Sequence, residues 1–402
     1  MKRRFLFFIT ILITIMMLTA FPVFAERVAM PAVSIPTAAS NGFGGAHVAY
    51  TDNVFALLVN PAAIMQVQQW SFVTLAPSLF SPQGTFSLFA PIADFARGDS
   101  NALGRAANTL SEKRGRIPLG AELREFPFSF AWVTNGFGIG LWNRTFVNAN
   151  IVGTNVEAHI FSDIMLPVGF AVSILSLENH TVDAGLTLKP FMRLRVQERQ
   201  TILSLMTDGT DDFIDNMNVP LLLGGTFDMG LMYRWRPGLR AGLTFSDIYS
   251  HAAAAYNING WDGNTYYIPF TINAGLAYEF SLHFFKFTLA ADWRNITNIF
   301  NQDDYFRRNF TLDFGVGLQV AVFDIGYARI GMNEMLPSVG IGVDLGSFKI
   351  DMAYYGREFS NEPGQLSAAV VEMSVSFRPD AKKMHWPWAK RSLAGMIFGV
   401  EH

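Results

Sequence analysis

The residues of this chain with chemistry to offer are seven histidines and a recurring set of charges; there is no cysteine. His47, His159, His180, His251, His283, His385 and His402 are scattered, and no pair has the spacing that gathers metal ligands. A hydrolase would need a Ser or Thr nucleophile beside a His base. His180 and His283 fall near the starts of extended segments, but nothing marks a partner for either. The run Gly42-x-Gly44-Gly45 lacks the preceding strand of a dinucleotide loop, and Asp52 follows too closely to hold a ribose. The sequence therefore points to no catalytic residue, no metal and no cofactor.

The charges are more regular. Lys189, Arg193, Arg195, Arg234, Arg236, Arg240 and Arg294 alternate with apolar neighbours, as do Asp183, Asp228, Glu279, Asp292, Asp313, Asp344, Asp351 and Glu372. Brought together, such arginines could hold a carboxylate headgroup. The same residues could instead neutralise one another as a network of ion pairs, which is the plainer reading.

What positions them is period-2 alternation, the signature of strands. In Asp183–Val196, Ala184, Leu186, Leu188, Met192, Leu194 and Val196 oppose Asp183, Gly185, Thr187, Lys189, Arg193 and Arg195. The pattern returns around Phe227–Arg236, Leu239–Ser246, Phe270–Phe280, Phe310–Val320, Val339–Leu345, Phe348–Tyr355 and Ala369–Arg378. These segments run to about 10 to 13 residues, the length of a tilted membrane strand rather than the five or six usual in globular sheets. Their polar faces are rich in Gly, Arg and Asp, and aromatic residues gather at their ends, as in Tyr233, Trp235, Tyr278, Phe280 and Tyr354.

Composition agrees. Half of the 402 residues are hydrophobic and 16% are charged, against roughly 25% in soluble domains. There are 37 Phe and 34 Gly, mean hydropathy is +0.23, and formal charge is −3, which excludes a nucleic-acid partner. Residues 1–25 read as a signal peptide. Lys2, Arg3 and Arg4 precede an apolar core from Phe5 to Leu18, and Val23-Phe24-Ala25 offers a cleavage site. An uncleaved anchor is the alternative. Beyond residue 25 no apolar stretch reaches the roughly 18 residues of a membrane helix; the longest, Leu166–Leu175, contains Pro167 and Gly169. An exported, cysteine-free, greasy chain with long alternating strands is expected to be a transmembrane β-barrel in the outer membrane, in contact with its lipid.

Fifteen strand candidates can be marked, from Trp70–Ala76, Thr85–Ala90 and Phe126–Val133 to Ala368–Arg378. Bacterial barrels of one chain have even strand numbers, so about fourteen are expected across a barrel domain of residues 70–378. Ile92–Arg124, Gln200–Pro220, His251–Thr265 and Asn295–Asn309 read as outer loops, with short helices possible in 100–113 and 201–216. Residues 379–402 form a basic, aromatic tail around Lys382, Lys383, Trp386 and Trp388. It could rest on a membrane surface or trail unstructured in the periplasm.

Residues 26–69 do not alternate. Gly42–Ile64 reads GFGGAHVAYTDNVFALLVNPAAI: a Gly-rich run, the cap pair Asp52-Asn53, a short helix over about 54–59, and Asn60-Pro61 to end it. This head is expected to plug the lumen or to cap the barrel. The order Gly-x-Gly-Gly-Ala, then Ala-x-x-Asp-Asn-x-x-Ala-x-x-x-Asn-Pro-Ala, resembles the N-terminal signature of FadL-type long-chain fatty-acid transporters and their PorV-like and TraF-like relatives. Asp228–Arg234 and Leu239–Ile248 resemble a strand pair of the PorV-like branch. The resemblance implies a fourteen-strand barrel closed by an N-terminal hatch, with Asn60, Pro61 and Ala62 in the hatch and Gly44 and Gly45 in its approach turn. It further implies a passive transporter of hydrophobic, fatty-acid-like molecules rather than an enzyme. Because the PorV-like branch includes secretion-system components, a structural role with secretion or envelope protein partners is the alternative. On the transporter reading Phe43, Phe55, Leu57, Leu58 and Ile64 would line a ligand pocket; otherwise they pack the hatch against the wall.

Overall fold

Alternating side chains of opposite character require the two faces of each strand to meet different surroundings, one apolar and one polar. The computed structural model describes residues 27–32, 36–51, 53–67, 69–80, 116–124, 129–134, 136–152, 155–201, 219–236, 238–257, 264–300 and 307–378, with a few positions between 94 and 108. In chain order the extended segments are β1 (Arg27–Ala29), β2 (Gln69–Phe80), β3 (Arg116–Arg124), β4 (Ser129–Thr134), β5 (Phe137–Val152), β6 (Asn155–Met165) and β7 (Val168–Ser176). Then come β8 (His180–Thr201), β9 (Pro220–Trp235), β10 (Leu239–Ser246), β11 (Ser250–Asn257), β12 (Thr265–Tyr267) and β13 (Thr271–Leu282). The last are β14 (Phe285–Trp293), β15 (Phe314–Val322), β16 (Gly326–Asn333), β17 (Leu336–Asp344), β18 (Phe348–Glu358) and β19 (Ser367–Phe377).

Segments β3 and β4 both lie between β2 and β5, and β6 and β7 both lie between β5 and β8. Likewise β10 and β11 follow β9, and each pairs with a part of the broken strand β12/β13. Counting each broken pair once, the described residues form fourteen antiparallel strands. Pairing of β19 with β2, from Val370 opposite Phe80 to Phe377 opposite Phe72, closes the barrel. Closure removes the sheet edges that lipid cannot solvate.

The pleat sorts the side chains as a membrane requires. Outward residues such as Val316, Ile330, Val339, Ile341 and Val343 are exposed and apolar, whereas Arg329, Gln319 and Asp351 are buried inside. At one end neighbouring strands are joined by short turns: Gly136, 177–179, 236–238, 283–284, 323–325 and 345–347. Most connections at the other end are longer.

Several sequence expectations need correction. The loop expected over Ile92–Arg124 contains β3, which Pro118 and the charges at both ends disguise. The one over His251–Thr265 holds most of β11, whose run of four alanines carries no apolar alternation. β6 is a strand that the candidates omit, with Pro167 separating it from β7. Phe310–Asp313 is a 3₁₀ turn rather than the start of a strand, because Asn309 Oδ1 accepts from Thr311 N at 3.1 Å and caps it. The candidate Thr85–Ala90, the signal peptide, the helix over 201–216 and the tail 379–402 lie outside the described residues, as does most of the helix over 100–113.

Candidate functional site

The N-terminal segment is built from short, weak elements. Helix α1 (Ala38–Gly42) starts at a capping box, with Thr37 Oγ1 accepting from Ser40 N at 3.0 Å. Helix α2 covers Ala56–Val59, where Asn53 Oδ1 accepts from Phe55 N at 3.0 Å; Asp52, its expected capping partner, lies outside the described residues. A 3₁₀ turn over Pro61–Gln66 follows, with Pro61 in its first position and Asn60 Oδ1 accepting from Ala62 N at 3.1 Å. Helices of four and five residues are unstable alone, so tertiary contact must hold them.

That contact is the inside of the barrel. From Ala38 onward the segment passes along the wall against strand order. Gly42 lies on Gly340 of β17, Phe43 and Gly44 on Gly317 and Gly331 of β15 and β16, and Val48 on Gly275 and Gly242 of β13 and β10. Asn60 then lies on Gly230 of β9, Pro61 on Gly185 of β8, and Ile64 on Gly169 of β7. A β-carbon on Gly230 would collide with Asn60 Oδ1, and one on Gly185 with the Pro61 carbonyl. The lumen glycines of the alternating strands thus form a seat for a backbone. Gly44 and Gly45 both have φ +72°, which lets the chain turn onto it without a side-chain clash.

Four side chains make the main polar contacts that fix the segment. Asn60, fully buried, donates through Nδ2 to Val48 O at 3.0 Å and to Leu231 O at 3.3 Å. Asp292 Oδ2 accepts from His47 N at 2.6 Å and Val48 N at 2.8 Å. Asn41 Nδ2 donates to Glu372 Oε2 at 2.7 Å and Tyr355 Oη at 3.1 Å. Arg193 Nη1 donates to Pro31 O at 2.7 Å. The Asn41 contact left no trace in the sequence, since Asn41 belongs to no motif. Asp292 was legible as a lumen charge but not as a backbone clamp.

The apolar residues of this segment fill the seam. Phe43 is buried edge-to-face with Tyr50, their ring centres 5.9 Å apart. Phe55 tilts against buried Trp142 at 6.0 Å. Leu57, Ala62 and Ile64 are buried in the largest apolar cluster, and Leu58 packs against it half-exposed.

The lumen charges resolve into ion pairs. Arg193 forks onto Asp163 at 2.6 and 3.0 Å, Arg234 meets Asp183 at 2.7 Å, and Arg329 meets Asp351 at 2.8 Å. Lys189 joins Asp228 at 2.7 Å to Asp247 at 3.1 Å. Arg240 lies 3.7 Å from Glu279 and over the Tyr50 ring. Arg195 is half-buried two residues beyond Arg193, on the same side of β8. A further network joins Arg124 to Glu122 and Glu372, with Arg144 and Arg357 also on Glu122. The lumen arginines are thus spread over separate ion-paired groups, two of which hold one more cation than carboxylates: Arg124, Arg144 and Arg357 with Glu122 and Glu372, and Arg240 and Lys286 with Glu279. Asp313 is displaced from the wall to the 3₁₀ turn, where Asn298 Nδ2 donates to it at 2.7 Å. Burial lifts its carboxyl to about 6, against the pull of Asn298, Arg308 and Arg294. Burial, with the nearby Arg294 charge, lowers His47 to about 4, against a backbone hydrogen bond at Gly45 that raises it.

No family model matches the sequence, and no curated protein matches it. Among solved structures the chain is similar to the CymD monoaromatic hydrocarbon channel, at 13% identity over 89% of this chain and 100% of that one, with a TM-score of 0.45. It is similar to the P. putida toluene transporter TodX at 11% identity, over 86% of this chain and 98% of that one, with a TM-score of 0.44. A Pseudomonas aeruginosa FadL homologue gives 10% identity over the same shares, with a TM-score of 0.44.

Proposed function

We propose that the protein is a passive outer-membrane conduit for hydrophobic small molecules, with residues 26–69 as its hatch. The observation that carries this reading is the seating of residues 38–67 on the glycines of a closed, lipid-facing barrel, clamped by Asn60 and Asp292. A barrel lined in this way offers ions no wide aqueous path, and its apolar seam suits a greasy solute. Phe43, Phe55 and Leu58 are the hatch residues we place nearest the route. Because each of these cations already holds a carboxylate partner, a carboxylate cargo would have to compete with that partner; an uncharged one would not.

The test is uptake in a deletion strain complemented with the wild-type gene, comparing a labelled long-chain fatty acid with an uncharged hydrocarbon. Loss of uptake for either, restored by the gene, supports the conduit. Unchanged uptake of both, together with stable co-purification of an envelope protein, would favour the structural role instead.

A further inference from the structure

At the short-turn end the strands do not all finish level. β5 begins at Phe137, which pairs with Phe170 of β7, and Ala171 N still donates to Gly136 O at 2.9 Å. Beyond that point β7 continues to Ser176, paired only with β8 on its other side, from Ser173 opposite Asp183 to Ser176 opposite Thr181. Among the described residues no strand meets the outer edge of 172–176. Elsewhere at this end neighbours stop closer together, as at His180 opposite Trp235 and Phe285 opposite Val322. Every residue from 172 to 179 is exposed, including Val172 at 62%, Ile174 at 63% and Leu177 at 58%. An unpaired edge with exposed apolar side chains is a template for one more strand.

The chain already fills such a step at the opposite end. There β12 rises beyond β14, whose last partner on that strand is Ala274 opposite Trp293. β1 occupies the vacant side, pairing in parallel from Arg27 opposite Thr265 to Ala29 opposite Tyr267, and Met30 N donates to Tyr267 O at 2.9 Å.

We propose that the lower edge is filled from the same chain, by residues 392–400 added antiparallel to 172–177. β19 ends at Phe377, at the same end as this edge, and four strand intervals separate the two. At about 4.8 Å per interval that is roughly 19 Å around the wall. Residues 379–391 can span roughly 43 Å when extended. Leu393-Ala-Gly-Met-Ile-Phe-Gly-Val400 is uncharged and apolar, as a strand beside Val172 and Ile174 must be. Lys382, Lys383, Lys390 and Arg391 precede it and would pass the exposed Glu178 at the hairpin tip. A chain arriving from below runs opposite to β7, which gives the antiparallel sense. The inference does not depend on what the barrel carries.

The cysteine-free chain makes the test direct. Val172→Cys is combined with single cysteines placed in turn at Ala394, Gly395, Met396, Ile397 and Phe398, and full-length protein in outer-membrane fractions is oxidised. Heat-modifiable migration establishes that each variant folds. The proposal expects an intramolecular cross-link at alternate positions of the series. Cross-linked dimers would mean that a second copy covers the edge, and equal cross-linking at all positions, or none, would mean that no strand from the tail does; any of these overturns the proposal. Amide exchange provides a second readout. Residues 172–177 should exchange roughly tenfold or more faster in a chain ending at Arg378 than in the full chain. Equal rates would overturn the proposal.

Discussion

Asn60 Oδ1 occupies the space that a β-carbon on Gly230 would take, while Asn60 Nδ2 bonds the carbonyl of the next residue, Leu231, at 3.3 Å. One side chain thus reads both the absence of a neighbour and the presence of a backbone acceptor. Gly230→Val should force the Asn-Pro-Ala turn off the wall and cost about 1–3 kcal/mol of barrel–hatch stability. Lowered thermal stability in detergent, with leak currents in planar bilayers, would register it. Gly326→Ala, which meets nothing within 4 Å, should change neither.

Asn60→Ala leaves the Ala62 N–H and the Val48 carbonyl buried without their partner. A loss of about 1–3 kcal/mol is expected. Asn60→Asp should be worse, because a carboxylate would face the Val48 and Leu231 carbonyls. Equal melting temperatures for the two variants would contradict the donor role assigned to Nδ2.

Asp292→Ala removes the acceptor shared by His47 N and Val48 N. Hydrogen exchange at these two amides should accelerate while the strands keep their protection. Acceleration across the whole barrel would show instead that Asp292 holds the wall.

Two titrations outside the strands, those of His47 and Asp313, have opposite signs. His47 is lowered from 6.5 to about 4, so its neutral form favours the folded state. That contribution is complete above pH 6.5 and is lost as pH falls through 4. Asp313 is raised from 3.8 to about 6, so its contribution is complete below pH 3.8 and is lost as pH rises through 6. His47→Gln should therefore flatten the acid limb of a stability–pH profile, and Asp313→Asn the limb between pH 4 and 6. Parallel profiles for wild type and both variants would refute the assignment.

The barrel was legible because lipid imposes period-2 alternation over long runs, as in Phe270–Phe280 and Val339–Leu345. Where a strand is broken or made of small residues, as at Ala252–Ala255 or in β6 just before Pro167, that signal vanishes. Asn60-Pro61-Ala62 was visible as a motif that ends a helix. Its seat was not, because Gly185, Gly230, Gly242 and Gly275 are far apart in sequence and meet only through strand register. For the same reason Arg193 and Asp163 could be recognised as lumen charges or missed, but not matched as a pair.

The proposed hatch role of the seated segment is tested most directly by single-channel conductance of the full-length protein beside a variant lacking residues 40–69, both reconstituted in planar bilayers. The wild type should be nearly silent, and the deletion should open a steady pore of large conductance. A wild-type channel already open, and unchanged by the deletion, would contradict the account.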